Sequence, residues 1–315
     1  DPYPVRAILA HGMNLRMLPD TGRTGRMLRS LDFFCDVDLF WTDAAKCADL
    51  VLPACSSFER GELKAVGGGF LYHTAPAVEP LYESRSDAEI LCALAREMKL
   101  SDPLLTAGVE ACTDSILEGT GWTARALIEA GRPMRCETAR PYEERALTRK
   151  GYRTPTGKFE LWSEKIAPFR DRGLEPLPVY EEPAGGDAEQ YPFVLSTGAR
   201  IPGMLHSRLE RVDWLQALAC GPEAALSPED AAALGIETGD EIEIASPNGG
   251  IRMRARISHA VQKGVVQAPH GYRRADVNLL TDSELLDPYS GFPGYRSGRC
   301  AVRKTEANAR PQEEG

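Results

Sequence analysis

The apolar pattern changes character part-way along the chain, and that change constrains the fold more than any other feature. In the first third, short apolar runs alternate with helical stretches. Val5 to Ala10, Phe33 to Trp41 and Val51 to Pro53 read as buried strands, and Gly22 to Leu31 reads as a helix between the first two. Such alternation marks parallel strands joined by crossover helices. After residue 190 the runs are strands again, but turns rather than long helices separate them.

Local signals sharpen both halves. Thr42 can cap a short helix through Cys47, and Ser86-Asp87-Ala88-Glu89 fits a capping box. Ile90, Leu91, Leu94, Ala95 and Met98 then form one stripe, predicted to pack in a core. Thr123 to Ala130 predicts a helix stopped by Gly131, and Lys158 to Trp162 a strand following the turn Thr154-Pro155-Thr156-Gly157. Residues 171–190 carry Pro, Gly and acids without apolar periodicity, which predicts a linker.

Beyond it, Phe193 to Ser196 opens the strand-rich half. Ser227-Pro228-Glu229-Asp230 combines a cap, a first-turn proline and an early acid, so a short helix ending at Gly235 is expected. Glu241 to Ile244 and Ile251 to Ile257 alternate on either side of Pro247-Asn248-Gly249-Gly250, predicting a hairpin with acids facing arginines on its solvated side. Gly264 to Ala268 adds a strand and completes a small barrel or sandwich. The tail after Lys304 is polar.

Composition bounds the function classes. The 315 residues suffice for about two domains with real cores. A formal charge of −9 disfavours nucleic acid, and no apolar run reaches the ~18 residues of a membrane span, so direct membrane insertion is not expected. The eight cysteines contain no CxxC pair, so neither zinc nor an iron–sulfur cluster is indicated by their spacing, and most are expected to be buried thiols. Such usage suits cytoplasm or periplasm alike. The opening Asp1-Pro2-Tyr3-Pro4 is neither an initiator Met nor a signal peptide, which suggests a segment of something longer.

Motifs for the commonest chemistries are absent. There is no GxGxxG, no GxxxxGK[ST] and no GxSxG, and none of the five histidines has HExxH spacing. An ordinary nicotinamide dehydrogenase is thereby disfavoured. Gly12-Met13-Asn14 follows a strand where an open α/β sheet binds ligands, and Asp38 in the next strand can accept from a ribose or a guanine edge. Three turn-like clusters in the strand-rich half carry groups that pair with heterocycles and oxyanions: Thr197-Gly198-Ala199-Arg200 with His206-Ser207, then His270-Gly271-Tyr272, then Asn278-Leu279-Leu280-Thr281. Together they point to a polar organic cofactor.

The order of these clusters resembles the C-terminal part of the molybdopterin oxidoreductases of the dimethyl sulfoxide reductase family. Supporting segments are Asp38 to Ala45, Ala48 to Pro53, Glu59-Arg60, Ser86 to Leu91, Pro228 to Ala231, Leu234-Gly235-Ile236 with Gly239-Asp240, and the closing run from Gly294-Tyr295-Arg296 to Val302. The resemblance implies an α/β Rossmann-like segment over residues 1–170, a linker at 171–190, a mainly-β double-psi barrel binding the molybdopterin dinucleotide over 191–304, and a tail at 305–315.

The same resemblance places Gly12 and Asn14 at a phosphate or sugar and Asp38 and Asp43 near a guanosine. Thr197, Gly198, Arg200, His206, Ser207, Asn278 and Arg296 would line the pterin face, and His270 joins them as a cofactor candidate. The implied cofactor is molybdopterin guanine dinucleotide carrying Mo or W. The metal ligand and [4Fe-4S] cysteines are expected in an N-terminal half not included here, with an iron–sulfur electron-transfer subunit as partner. No catalytic side chain or metal ligand is assigned to this chain. The polysulfide and thiosulfate reductase branch fits Asp287-Pro288-Tyr289-Ser290-Gly291-Phe292-Pro293 best, with hydratase-type members next. A stand-alone non-catalytic barrel is the other alternative. Two departures stand out: Ala199 occupies the usual Arg position, and Gly67-Gly68-Gly69 replaces an Asn-rich stretch.

Overall fold

The computed structural model describes residues 3–136, 146–180, 187–198, 204–208, 210, 212–218 and 221–305. They belong to two compact units, one built from Asp1–Met13 and Leu31–Phe159, the other from Asn14–Ser30 and Glu160–Gly315.

The first unit contains a parallel sheet of β1 (Ala7–His11), β2 (Phe33–Asp38) and β3 (Leu50–Pro53), with β2 in the middle. Helix α1 (Thr21–Arg29), between β1 and β2 in sequence, belongs to the second unit. Phe34, Cys35, Asp36 and Val37 are all buried, as the centre of a parallel sheet requires. β2 is shorter than the apolar run to Trp41 suggests. The chain turns after Asp38, whose Oδ1 accepts from the Leu39 and Phe40 amides at 2.7 and 3.4 Å, and Leu39, Phe40 and Trp41 are exposed.

An antiparallel sheet of β4 (Glu62–Val66), β5 (Phe70–Thr74) and β6 (Met134–Arg135) lies in the same unit, unanticipated by the sequence reading. Gly67-Gly68-Gly69 is its hairpin turn, with Gly68 and Gly69 both at φ +81°, a conformation that favours glycine. Helices α2 (Asp87–Glu97), α3 (Pro103–Ala107), α4 (Val109–Leu117) and α5 (Ala124–Ala130) follow one another in contact, and α5 meets β5. Leu117, Ala124 and Leu127 form a core with Leu63, Leu71, Trp122 and Met134, each large apolar side chain contributing roughly 1.5–3 kcal/mol by burial.

The expected caps form. Ser86 and Glu89 close a capping box on α2, Thr123 caps α5, and Gly131 ends it in the left-handed region. The α2 stripe divides, however: Ile90 and Ala95 are buried with Cys92, whereas Leu91, Leu94 and Met98 are exposed. The short helix α6 (Ala146–Lys150) precedes the turn closed by Gly157 N–H on the Thr154 carbonyl at 3.0 Å. No strand follows it at 158–162, because Phe159, Leu161 and Trp162 are exposed and no strand among the described residues pairs with them.

The second unit is a closed six-stranded barrel. Its strands are β7 (Phe193–Ser196), β8 (Glu223–Leu226), β9 (Glu241–Ser246), β10 (Gly249–Ile257), β11 (Val265–Gln267) and β12 (Gly298–Lys304), in the order β10-β8-β11-β7-β12-β9. The pairs β10/β8 and β11/β7 are parallel and the rest antiparallel, giving a double-psi β-barrel with no free edge. Alternation supplies its filling: Leu195, Leu226, Ile242, Ile244, Met253, Val266 and Val302 are buried inside.

On the hairpin's outer side Arg252 meets Glu241 at 3.5 Å as expected, and Arg303 of β12, not anticipated, meets Glu243 at 2.6 Å. The one-turn helix α7 (Asp213–Gln216) precedes β8. Helix α8 (Pro228–Leu234) has Ser227 as its cap and Gly235 as its left-handed stop.

Candidate cofactor-binding site

In the second unit, one hydrogen-bonded chain connects Thr197, His270 and His206. Thr197 is 1% exposed at the end of β7, and both its amide and its hydroxyl donate to the Tyr295 carbonyl, at 2.9 and 3.0 Å. The Thr197 carbonyl lies 3.0 Å from Nδ1 of His270, whose Nε2 is 2.6 Å from Nδ1 of His206. A carbonyl can only accept, so Nδ1 of His270 carries the proton there, and in the neutral ring Nε2 is left to accept from His206 Nδ1–H.

Close backbone approaches hold the pair. A Cβ on Gly271, at φ +107°, would lie 2.2 Å from the His206 carbonyl oxygen, so the 270–271 and 206 backbones touch. His206 itself is left-handed at φ +57°, and Ser207 follows it in the same turn. On the other side, a Cβ on Gly198 would lie 3.0 Å from Nε of Arg296, so the guanidinium lies close over the glycine.

The segment 14–30 completes this cluster. Asn14 accepts the Arg16 amide on its side-chain oxygen at 3.1 Å, and the Arg16 carbonyl accepts from the Asn278 side-chain amide. Tyr295 donates its hydroxyl to the Met17 carbonyl, and Asp20 donates its amide to Thr281 Oγ1 at 3.1 Å. Asn278 is 1% exposed, and its Oδ1 has no partner among the described residues. A buried amide oxygen left unpaired costs about 1–3 kcal/mol, so it marks a position where a donor belongs. Asn14, Thr197, Gly198, His206, Ser207, His270, Asn278 and Arg296 thus share one region, while Arg200 lies outside the described residues.

The first unit holds the other candidates at the carboxyl ends of its parallel strands. Gly12, at φ +61°, donates its amide to Val37 and has open space where a Cβ would sit. The Asp38 carboxylate is engaged in its own turn, accepting also from Thr42 Oγ1 at 3.3 Å, and Asp43 lies 3.8 Å from Lys46 Nζ.

Sequence reading missed Asp36, an acid inside the apolar run Phe33 to Val37, which was the one available signal. It is 0% exposed, and neither carboxylate oxygen has a hydrogen-bond partner of good geometry among the described residues. Burial, and then the charge of Asp38, push its pKa up to about 6, against a lowering pull from the Met13 amide and His11. Nearby, Nδ1 of His11 is 3.1 Å from the Asp87 carboxylate, and Nε2 of His11 is buried without a partner among the described residues.

Two family models match the chain: one described as "Molydopterin dinucleotide binding domain" over residues 193–299, the other as "Molybdopterin oxidoreductase" over 5–97. The dimethyl sulfoxide/trimethylamine N-oxide reductase of Rhodobacter capsulatus is 29% identical over 86% of this chain and 36% of its own length. The chain belongs to the dimethyl sulfoxide reductase family of molybdopterin oxidoreductases. Another relative, the dopamine dehydroxylase of Eggerthella lenta, is 27% identical over 99% of this chain and 39% of its length. The fold agrees: acetylene hydratase from Pelobacter acetylenicus superimposes with a TM-score of 0.80 at 24% identity, covering 96% of this chain and 45% of that one.

The chain therefore spans less than half the length of these relatives. In this family the barrel is the molybdopterin dinucleotide-binding domain, and its matched span contains Thr197, Gly198, His206, Ser207, His270, Asn278 and Arg296. The residues present suit a pterin. The unpaired Asn278 oxygen can accept from a ring N–H or amino group, and at Gly271 the His206 backbone leaves no room for a side chain.

Proposed function

We propose that this chain is the cofactor-holding portion of the catalytic subunit of a molybdenum- or tungsten-dependent bis(molybdopterin guanine dinucleotide) oxidoreductase. The observation that carries this reading is Asn278, a buried side chain whose Oδ1 has no partner among the described residues, in the unit that also holds Thr197, His270, His206 and Arg296. Asn278, Ser207 and the histidine pair hold the pterin ring, and Arg296 supplies a guanidinium to its polar edge. Gly12 and Asn14 are assigned to a phosphate or sugar of the dinucleotide, and Asp38 and Asp43 to its guanosine.

When bound, the metal centre supplies two-electron chemistry. The residues of this chain bind and orient the pterin and keep water from its buried face. The metal ligand, the iron–sulfur cysteines and an electron-transfer subunit are assigned to sequence outside these 315 residues, in keeping with the 39% and 36% coverage of the relatives.

Purified full-length protein tests the assignment. Released pterin measured by fluorescence, GMP by chromatography and Mo or W by elemental analysis should appear with about two pterins and two GMP per metal. Asn278→Ala should lower pterin content several-fold while circular dichroism stays unchanged. Absence of both pterin and metal overturns the reading.

A further inference from the structure

In the barrel unit, a pocket of about 300 Å³ lies among Glu210, Gly221, Pro222, Tyr272, Arg273 and Arg274, in the stretches that lead into β8 and out of β11. None of these residues is assigned to the cofactor. The walls are tied together: Tyr272 is buried, the Arg273 amide donates to Glu210 Oε1 at 2.7 Å, and Gly221 is left-handed at φ +83°. Arg254 of β10 joins from the side. Its amide donates to the Pro222 carbonyl at 3.2 Å, and a Cβ on Gly221 would lie 3.9 Å from its Nη2.

The arginines of β10 are not alike. Arg252 and Arg256 face Glu241 and Glu223 at 3.5 and 3.7 Å, whereas the guanidinium of Arg254 has no ion-pair partner among the described residues, and neither has that of Arg274. Three arginines, Arg254, Arg273 and Arg274, thus gather around one carboxylate, in a chain whose formal charge is −9. Glu210 cannot balance all three, and one of its oxygens is already taken by a backbone amide. The pocket is a positive site on an acidic protein, which draws small anions to it.

We propose that this pocket binds a short dicarboxylate. A guanidinium meets a carboxylate through two parallel N–H···O bonds, so the two arginines without other partners, Arg254 and Arg274, suit two separate carboxylates on one ligand. Pro222 offers an apolar wall to the carbons between them. A volume of about 300 Å³ is at the lower end for small-molecule sites, which fits an organic acid of a few carbons and not a dinucleotide. The inference does not depend on the cofactor assignment.

Calorimetric titration of the purified full-length protein with succinate, propionate and inorganic phosphate tests this. Succinate should bind at one site per chain, roughly tenfold or more tighter than either of the others. Arg274→Gln and Arg254→Gln should each weaken succinate about tenfold or more, because each removes a charge-assisted pair. Arg274→Lys keeps the charge without the planar fork and should recover only part of the loss. Arg252→Gln removes the same charge from the same strand outside the pocket, and should leave the affinity unchanged. Pterin and metal content should be the same in every variant, so a failure here leaves the cofactor reading standing. Absence of succinate binding, equal affinity for propionate, or an equal loss in Arg252→Gln overturns the proposal. Phosphate binding as tightly as succinate makes the pocket a simple oxyanion site and overturns the dicarboxylate.

Discussion

The side chain of Asn278 donates to the backbone carbonyl of Arg16, a residue 262 positions earlier in the chain. The tie secures segment 14–30 to the barrel, alongside Arg23, whose Nη1 donates to Ser283 Oγ and Glu284 Oε1 at 3.0 and 2.9 Å. Asn278→Ala should cost about 1–3 kcal/mol of stability in urea unfolding. Asn278→Asp should cost more, because a carboxylate oxygen would face the Arg16 carbonyl in a buried position. An Asp variant as stable as the Ala variant would contradict this geometry.

Asp36 makes stability depend on pH in an unusual direction. Its pKa is about 6 in the folded chain against 3.8 for the free group, so between those values the folded state holds a proton that the unfolded state has released. Stability therefore falls as pH rises from about 4 to above 6, by about 1–3 kcal/mol, and this contribution is flat beyond. Asp36→Asn should remove that slope and stabilise the chain at pH 8. Chemical denaturation of both proteins across this range checks the sign.

Two glycines separate steric from conformational cost. Gly12→Ala meets open space, so only its φ of +61° is penalised, and about 1 kcal/mol is expected. Gly271→Ala drives a methyl to 2.2 Å from the His206 carbonyl oxygen, and the backbone must move. Its loss should exceed ~3 kcal/mol and shift the His206 and His270 ring resonances in NMR spectra, while those of His73 stay in place.

The α2 capping box offers a local control. Ser86→Ala should cost about 1 kcal/mol, and Glu89→Ala a smaller amount. Because each side chain serves the other's backbone amide, the double substitution should cost less than the sum. A thermal-melt double-mutant cycle measures the coupling.

What was legible in the sequence follows from how local each signal is. Caps such as Ser86, Thr123 and Ser227 act within one turn, so they could be read directly. The β9–β10 alternation was equally plain, because one face is core and the other solvent. The β4–β5 hairpin escaped because its core face is completed by Leu117 and Leu127 from distant helices. The strand anticipated at Lys158 to Trp162 failed for want of a partner, since apolar residues alone do not supply a ladder. Among the site residues, Thr197, His206, His270 and Asn278 were recognisable as turn clusters. Arg16 and Tyr295 gain their roles only through contacts between distant parts of the chain.

The polypeptide passes between its two units three times, after Met13, after Ser30 and after Phe159. Neither body is therefore a continuous stretch of chain. A ribosome must deliver residues 278–295 before the excursion between β1 and β2 finds its permanent neighbours, so that early piece waits through most of synthesis. Dissecting the protein at 159–160 would not yield a whole barrel body, because residues 160–315 expressed alone leave Asn278 and Tyr295 without the carbonyls they grip.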